Sequence, residues 1–209
     1  MSNSDFVRPS YISRVLRISV LLAPLLTLPA CWVSSINPLY DEGTVDRPHN
    51  DPDVILDQSL IGSWAATDGK CTTLLTIASK DHGYDLQSTS QGEGCEDKSH
   101  RHAQLVKLET YYFLDVEPIP DDVCDMCSAK HDILLAKFDN TTLSLTPIDS
   151  DWLKQSIEAK TVTLATVAGD TDTITASSKD LKAFYRKCAE NKEAFKPESA
   201  ETFKRKTTS

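Results

Sequence analysis

Thr73-Leu74-Leu75-Thr76-Ile77-Ala78-Ser79-Lys80-Asp81-His82-Gly83-Tyr84-Asp85-Leu86-Gln87-Ser88 reads as two β-strands joined by a tight turn. Tyr84, Leu86 and Ser88 alternate with Asp85 and Gln87, the two-residue period of a half-buried strand. Lys80-Asp81-His82-Gly83 supplies the turn. The pattern extends both ways. Leu60-Ile61-Gly62-Ser63-Trp64 opens the β region. A loop rich in Gly, Ser and charge (residues 89–99) leads to Ala103–Leu108, and Glu109-Thr110 turns into Tyr111–Val116. Pro118 and Pro120 end that strand, since proline cannot donate to a ladder. Ile133–Phe138 and Thr142–Leu145 flank Asp139-Asn140, a hairpin signal because both residues tolerate positive φ. Thr161–Val167 and Thr171–Thr175 flank Ala168-Gly169-Asp170. A last short strand is expected at Glu201–Arg205, around Phe203.

Two helices interrupt this series. Asp149 or Ser150 can cap a short helix near 150–159. Ser177-Ser178-Lys179-Asp180 reads as a capping box, with the acid reaching back to free N–H groups. It opens an amphipathic helix near 178–194, with Leu181, Phe184, Tyr185, Cys188 and Ala189 on one stripe. The fold is therefore expected to be mainly β. About eight antiparallel strands form a small barrel or curved sheet, and the late helix covers a sheet face or barrel end.

The chain has 209 residues, with 22 Lys+Arg against 31 Asp+Glu, for a net charge of −9. That acidity opposes a phosphate backbone, so no nucleic-acid partner is expected. With 40% hydrophobic and 25% charged residues, the chain is neither a disordered nor a multi-span membrane protein by composition.

Residues 1–30 read as a signal peptide. Arg8, Arg14 and Arg17 precede the apolar run Ile18–Leu28, which Pro29 and Ala30 follow. The run is shorter than the roughly 20 residues of a membrane span. Leu28-Pro29-Ala30-Cys31 resembles the lipobox of bacterial lipoproteins. Leu28, Ala30 and Cys31 fit that pattern, and Pro29 stands where a small residue is usual. The resemblance implies cleavage between Ala30 and Cys31, with a diacylglyceryl thioether and commonly a further acyl chain such as palmitate on Cys31. Trp32, in place of Asp, implies export to the outer membrane, on its periplasmic or surface face. Loss of residues 1–30 removes three Arg and one Asp and leaves −11, so lipid and not a polybasic patch must moor the protein. Residues 31–57, with Pro38, Pro48 and Pro52, read as the lipidated Cys31 and a flexible tether with a span of roughly 30 Å. The competing reading, given equal weight, docks Leu39, Tyr40, Val54 and Ile55 on the body. Residues 58–206 then form a single β-rich domain.

Gly62-Ser63-Trp64 on the first strand, with a late helix, resembles the Gly-x-Trp motif of lipocalin-type barrels. The resemblance implies that Trp64 plugs the closed end of a barrel. The late Arg that meets this Trp in the family has no assigned position.

An exported protein meets oxidising conditions, so disulfides are expected. Cys71–Cys95 is the favoured bridge, because the turn near residue 82 brings those ends together. Cys124–Cys127 is second, and Cys188 reads as a buried thiol on the helix stripe. Cys124-Asp125-Met126-Cys127 lacks the following helix that a thioredoxin-type site needs. A zinc site from Cys124, Cys127 and His131, or from His100 and His102, lacks a second ligand pair in register. No catalytic residue, metal site or cofactor is assigned, and the protein is not expected to be an enzyme. The leading function is a non-catalytic interaction or structural role in the cell envelope, with a protein partner there. The alternative is binding of a small apolar ligand inside the barrel, and thiol-redox or metal-dependent catalysis ranks last. A void among the inward residues separates the first two.

Overall fold

The computed structural model describes residues 32–41, 43–44, 47–48, 51–119 and 130–206. The fold is mainly β and its centre is a closed barrel of eight antiparallel strands. We number them β1 (Gly62–Asp68), β2 (Cys71–Lys80), β3 (Gly83–Gln91), β4 (Asp97–Leu108), β5 (Tyr111–Pro118), β6 (Asp132–Phe138), β7 (Thr142–Pro147) and β8 (Glu201–Arg205). Each strand pairs with its neighbour in sequence, and β8 closes the ring between β7 and β1. Closure leaves no long unpaired edge within the ring.

The β2–β3 turn forms as its sequence dictates. Asp81 and His82 adopt φ of 45° and 71°, the left-handed pair of a type I′ turn. Lys80 then faces Gly83 across the ladder. The Asp139-Asn140 turn forms differently. Neither residue has positive φ. Instead Asp139 Oδ1 accepts from the Thr141 and Thr142 amides at 2.7 and 2.8 Å, a side chain closing the loop.

The expected loop at 89–99 is a correction. β3 runs to Gln91 and β4 starts at Asp97, so Ser88, Ser90, Asp97 and Ser99 are ladder residues. Backbone pairing holds this stretch regardless of its polar side chains. Cys71 and Cys95 are bridged at the end of the hairpin, at a sequence separation of 24. Closing a loop of that length restricts the unfolded chain, so Cys71→Ser with Cys95→Ser is expected to lose about 3 kcal/mol in a urea titration. An unchanged midpoint would show that the ladder alone holds the hairpin.

Helix α1 (Ser150–Glu158) and helix α2 (Ser178–Cys188) lie between β7 and β8 in sequence. Asp149 caps α1 by accepting from the Trp152 amide at 2.7 Å, which contributes about 1 kcal/mol. Ser177 caps α2 through the Asp180 amide, and its hydroxyl donates to the Asp180 carboxylate at 2.8 Å. The acid thus meets the cap hydroxyl instead of a backbone N–H. Helix α2 stops short of the expected residue 194. Asn191 Oδ1 accepts from the Glu193 amide at 2.9 Å, a local turn that competes with the helix. Ala194 and Phe195 then fold back into the core.

Two apolar cores result. One fills the barrel from inside and includes Trp64, Leu75, Leu86, Leu114 and Phe203. The other lies outside the barrel on β4–β6, where Val106, Phe113, Ile133 and Leu135 meet Leu181, Phe184 and Tyr185 of α2. Strands β5 and β6 are buried on both faces, which is why their sequences run apolar without alternation.

The segment before the barrel corrects the flexible tether. Val33, Leu39 and Tyr40 belong to the outer core at 6%, 0% and 6% exposure. Val54 and Ile55 pair with Val106 and Leu105 of β4. The docking reading therefore holds where residues 32–57 are described. The physical reason is the uncovered outer face of β4–β6, whose apolar side chains need a second layer.

Candidate functional site

The barrel is filled at one end and open at the other. At the filled end Trp64 is fully buried and donates its indole N–H to the Leu60 carbonyl at 2.9 Å. The Arg205 guanidinium lies 4.0 Å from the Trp64 ring centroid. Arg205 also donates to the carbonyls of Ser59, Ile61 and Asn140, the last two at 2.8 and 2.7 Å. One cation therefore ties the last strand to the 3-10 turn Gln58–Leu60. Gly62 has φ of 142°, and a Cβ there would stand 2.5 Å from Arg205 Nη1. That φ, which side chains rarely adopt, is the main reason for the glycine in Gly62-Ser63-Trp64, and the close guanidinium adds to it. Tyr84 completes this end, its hydroxyl oxygen accepting from the Asp57 amide at 2.7 Å.

The open end holds a cavity of about 370 Å³. Its floor is apolar: Leu75, Leu86, Leu114, Leu134, Leu145 and Phe203. Its upper wall and rim are polar: Thr73, Ser88, Ser99, Arg101, Asp132 and Glu201, with Trp32 at the lip. The register sets apolar and polar side chains opposite each other, Leu75 with Ser88, Leu86 with Arg101 and Leu145 with Glu201, and burial separates them: the apolar ones are buried and the polar ones more exposed. Ser88 and Ser99 face each other across β3 and β4 and are hydrogen-bonded at 2.8 Å. Arg101 lies 3.7 Å from Asp132, which also accepts from the Ser34 hydroxyl at 2.7 Å. Glu201 is exposed over the residue as a whole, yet desolvation at its carboxyl raises that group above the ordinary glutamate value.

The chain enters the body at this rim. Ser35 exchanges both backbone hydrogen bonds with His131, at 2.8 and 2.7 Å. Below, buried Asp115 is 2.7 Å from His131 Nδ1 and accepts from the Leu39 amide at 2.6 Å. A second clamp follows at Asp51, which binds Lys182 Nζ at 2.6 Å and the Asp41 amide at 2.7 Å. Burial pushes the Asp51 carboxyl up, but Lys182 and the amides of Asp41 and Asp53 outweigh it and hold it below its ordinary value.

Of the residues marked by sequence, Trp64 stands in the barrel end opposite the cavity, and Cys71 and Cys95 form the expected bridge. Cys188 is a free, buried thiol, and burial pushes it up to about 12, which makes it a poor nucleophile. Cys31, Ala30, Cys124 and Cys127 lie outside the described residues. His100 is bonded to Asp85 at 2.8 Å. His131, weighed in the sequence as a zinc ligand, is a buried part of the Asp115 clamp. Among the described residues no three His, Cys, Asp or Glu side chains are grouped to hold a metal. No described helix is long and apolar enough to cross a bilayer. Sequence reasoning missed Trp32, Ser88, Ser99, Arg101, Asp132 and Glu201 as one site. All but Trp32, which precedes the barrel, share an inward register on the barrel strands. No known protein family, curated protein or solved structure matches this chain.

Proposed function

We propose that this is an exported, lipid-anchored envelope protein, without catalytic activity, that binds the apolar part of a small amphiphile in its barrel. The cavity carries this reading. A barrel serving only as a structural element would fill its interior with side chains, whereas this one leaves a volume in the roughly 300–1,000 Å³ range of ligand sites. A buried apolar lining accepts a hydrocarbon chain, and the more exposed Arg101, Asp132 and Glu201 meet a head of both charges. The anchor is proposed from the order of charge, apolar run and Cys31 in the sequence.

Filling the floor tests the site. Leu134→Trp and Leu145→Trp each add a large ring to the cavity. Each is expected to lower affinity for a single-chain phospholipid with a conjugated-polyene tail about tenfold or more, because the ring occupies the space of the chain. Polyene emission, which rises in an apolar site, reports binding. Stability in urea should fall by no more than about 1–3 kcal/mol, the cost of overpacking. Unchanged affinity in both variants would move the site away from the barrel.

A further inference from the structure

We propose that the barrel mouth opens directly onto the bilayer and that the ligand is a membrane amphiphile, exchanged with the lipid leaflet without release into water. This rests on the reading that Cys31 carries acyl chains. It adds an orientation and a ligand source.

The length of the stem carries the inference. Trp32 lines the mouth and is 51% exposed, while the next residue, Val33, is 6% exposed in the outer core. Ser34 is bonded to Asp132 of the rim, and Ser35 is paired through its backbone with His131. No slack remains after Val33. Consecutive Cα atoms are about 3.8 Å apart, so Cys31 lies within one residue of the lip. Acyl chains on its sulfur would enter the leaflet beside the mouth. A flexible tether would let the barrel tumble, but a stem of one free residue cannot.

The lip itself suits this position. A half-exposed Trp is the side chain that settles at the level of lipid headgroups. The charged groups of the same lining, Arg101, Asp132 and Glu201, are partly or fully exposed, while its apolar side chains besides Trp32 are buried. That order, Trp and charge outside and hydrocarbon within, repeats the order of the leaflet. A chain sliding from one to the other keeps its apolar part out of water throughout.

The experiment uses the full chain, made in a host that processes lipoproteins and reconstituted into zwitterionic phospholipid vesicles. Intact mass reports first whether Cys31 is the acylated N-terminus. An unmodified mass overturns the anchor reading, and the proposal falls with it. In acylated protein, lipids brominated near the headgroup should quench about half or more of the emission that Trp32→Phe removes. Inserting about 20 Gly and Ser residues between Cys31 and Trp32 should abolish that quenching. The same insertion should slow uptake of the polyene-tailed phospholipid from vesicles about tenfold or more, and leave its affinity in dilute solution unchanged. Acylated protein with unquenched Trp32, or with uptake indifferent to the insertion, overturns the proposal while the anchor stands.

Discussion

Trp64→Ala is expected to remove about 3–5 kcal/mol of stability, the range a buried Trp loses on truncation. Three effects converge on this residue. Its ring is fully buried and fills the closed end of the barrel. Its indole N–H satisfies the Leu60 carbonyl. Its face receives the Arg205 guanidinium, which contributes about 0.5–2 kcal/mol as that cation is withdrawn from water. A domain holds only about 5–15 kcal/mol in total, so the variant should be near its unfolding threshold at physiological temperature. Urea unfolding followed by far-UV circular dichroism measures the loss. Trp64→Phe keeps much of the ring and the cation contact but loses the N–H, so a smaller drop, about 1–2 kcal/mol, is expected. If the alanine variant loses less than the phenylalanine one, the plug is not what supports this end.

The residues that dictated local structure were readable in the sequence. Asp81-His82-Gly83 fixed one turn by conformational preference. Asp149 and Ser177 marked the two helix starts by their capping oxygens. The alternation at Tyr84, Leu86 and Ser88 set which side faces inward. Gly62 and Trp64 were visible as a motif, but Arg205 was not, because 141 residues separate its partner Trp64 from it and only closure brings them together. The mouth was hidden for a different reason. An inward Ser at an open barrel end carries no apolar signal, so Ser88 marks no site and Ser99 looks like a loop residue until the ladder pairs them. Asp115 was hidden within an apolar strand, where a single polar residue has no pattern, and His131 was visible only as a candidate metal ligand. Val33, Leu39 and Tyr40 were scattered among prolines and acids, and their burial depends on a sheet face formed by residues far downstream.

Asp115→Ala should unfasten the N-terminal segment before it unfolds the barrel. Asp115 is 1% exposed, on the outer face of β5. Its two carboxylate oxygens serve different partners, the Leu39 amide at 2.6 Å and His131 Nδ1 at 2.7 Å. Truncation withdraws both acceptors inside a dry layer, where each loss costs about 1–3 kcal/mol, so about 3–5 kcal/mol is expected in all. The barrel ladders contain none of these contacts, so the first event is local opening of residues 33–41. Hydrogen exchange at the Leu39 amide should accelerate about a hundredfold or more, while the β2–β3 amides change far less. Asp115→Asn keeps one acceptor for Leu39 and should sit between the variant and the parent. The consequence reaches the mouth, because the segment that Asp115 fastens also carries Trp32 and Ser34. Once it lifts, the lip of the cavity is lost and the stem to Cys31 lengthens by the freed residues. Amphiphile uptake from vesicles should then slow as it does with an inserted linker. If Leu39 exchange stays at the parent rate, the outer core alone holds the segment and this coupling does not exist.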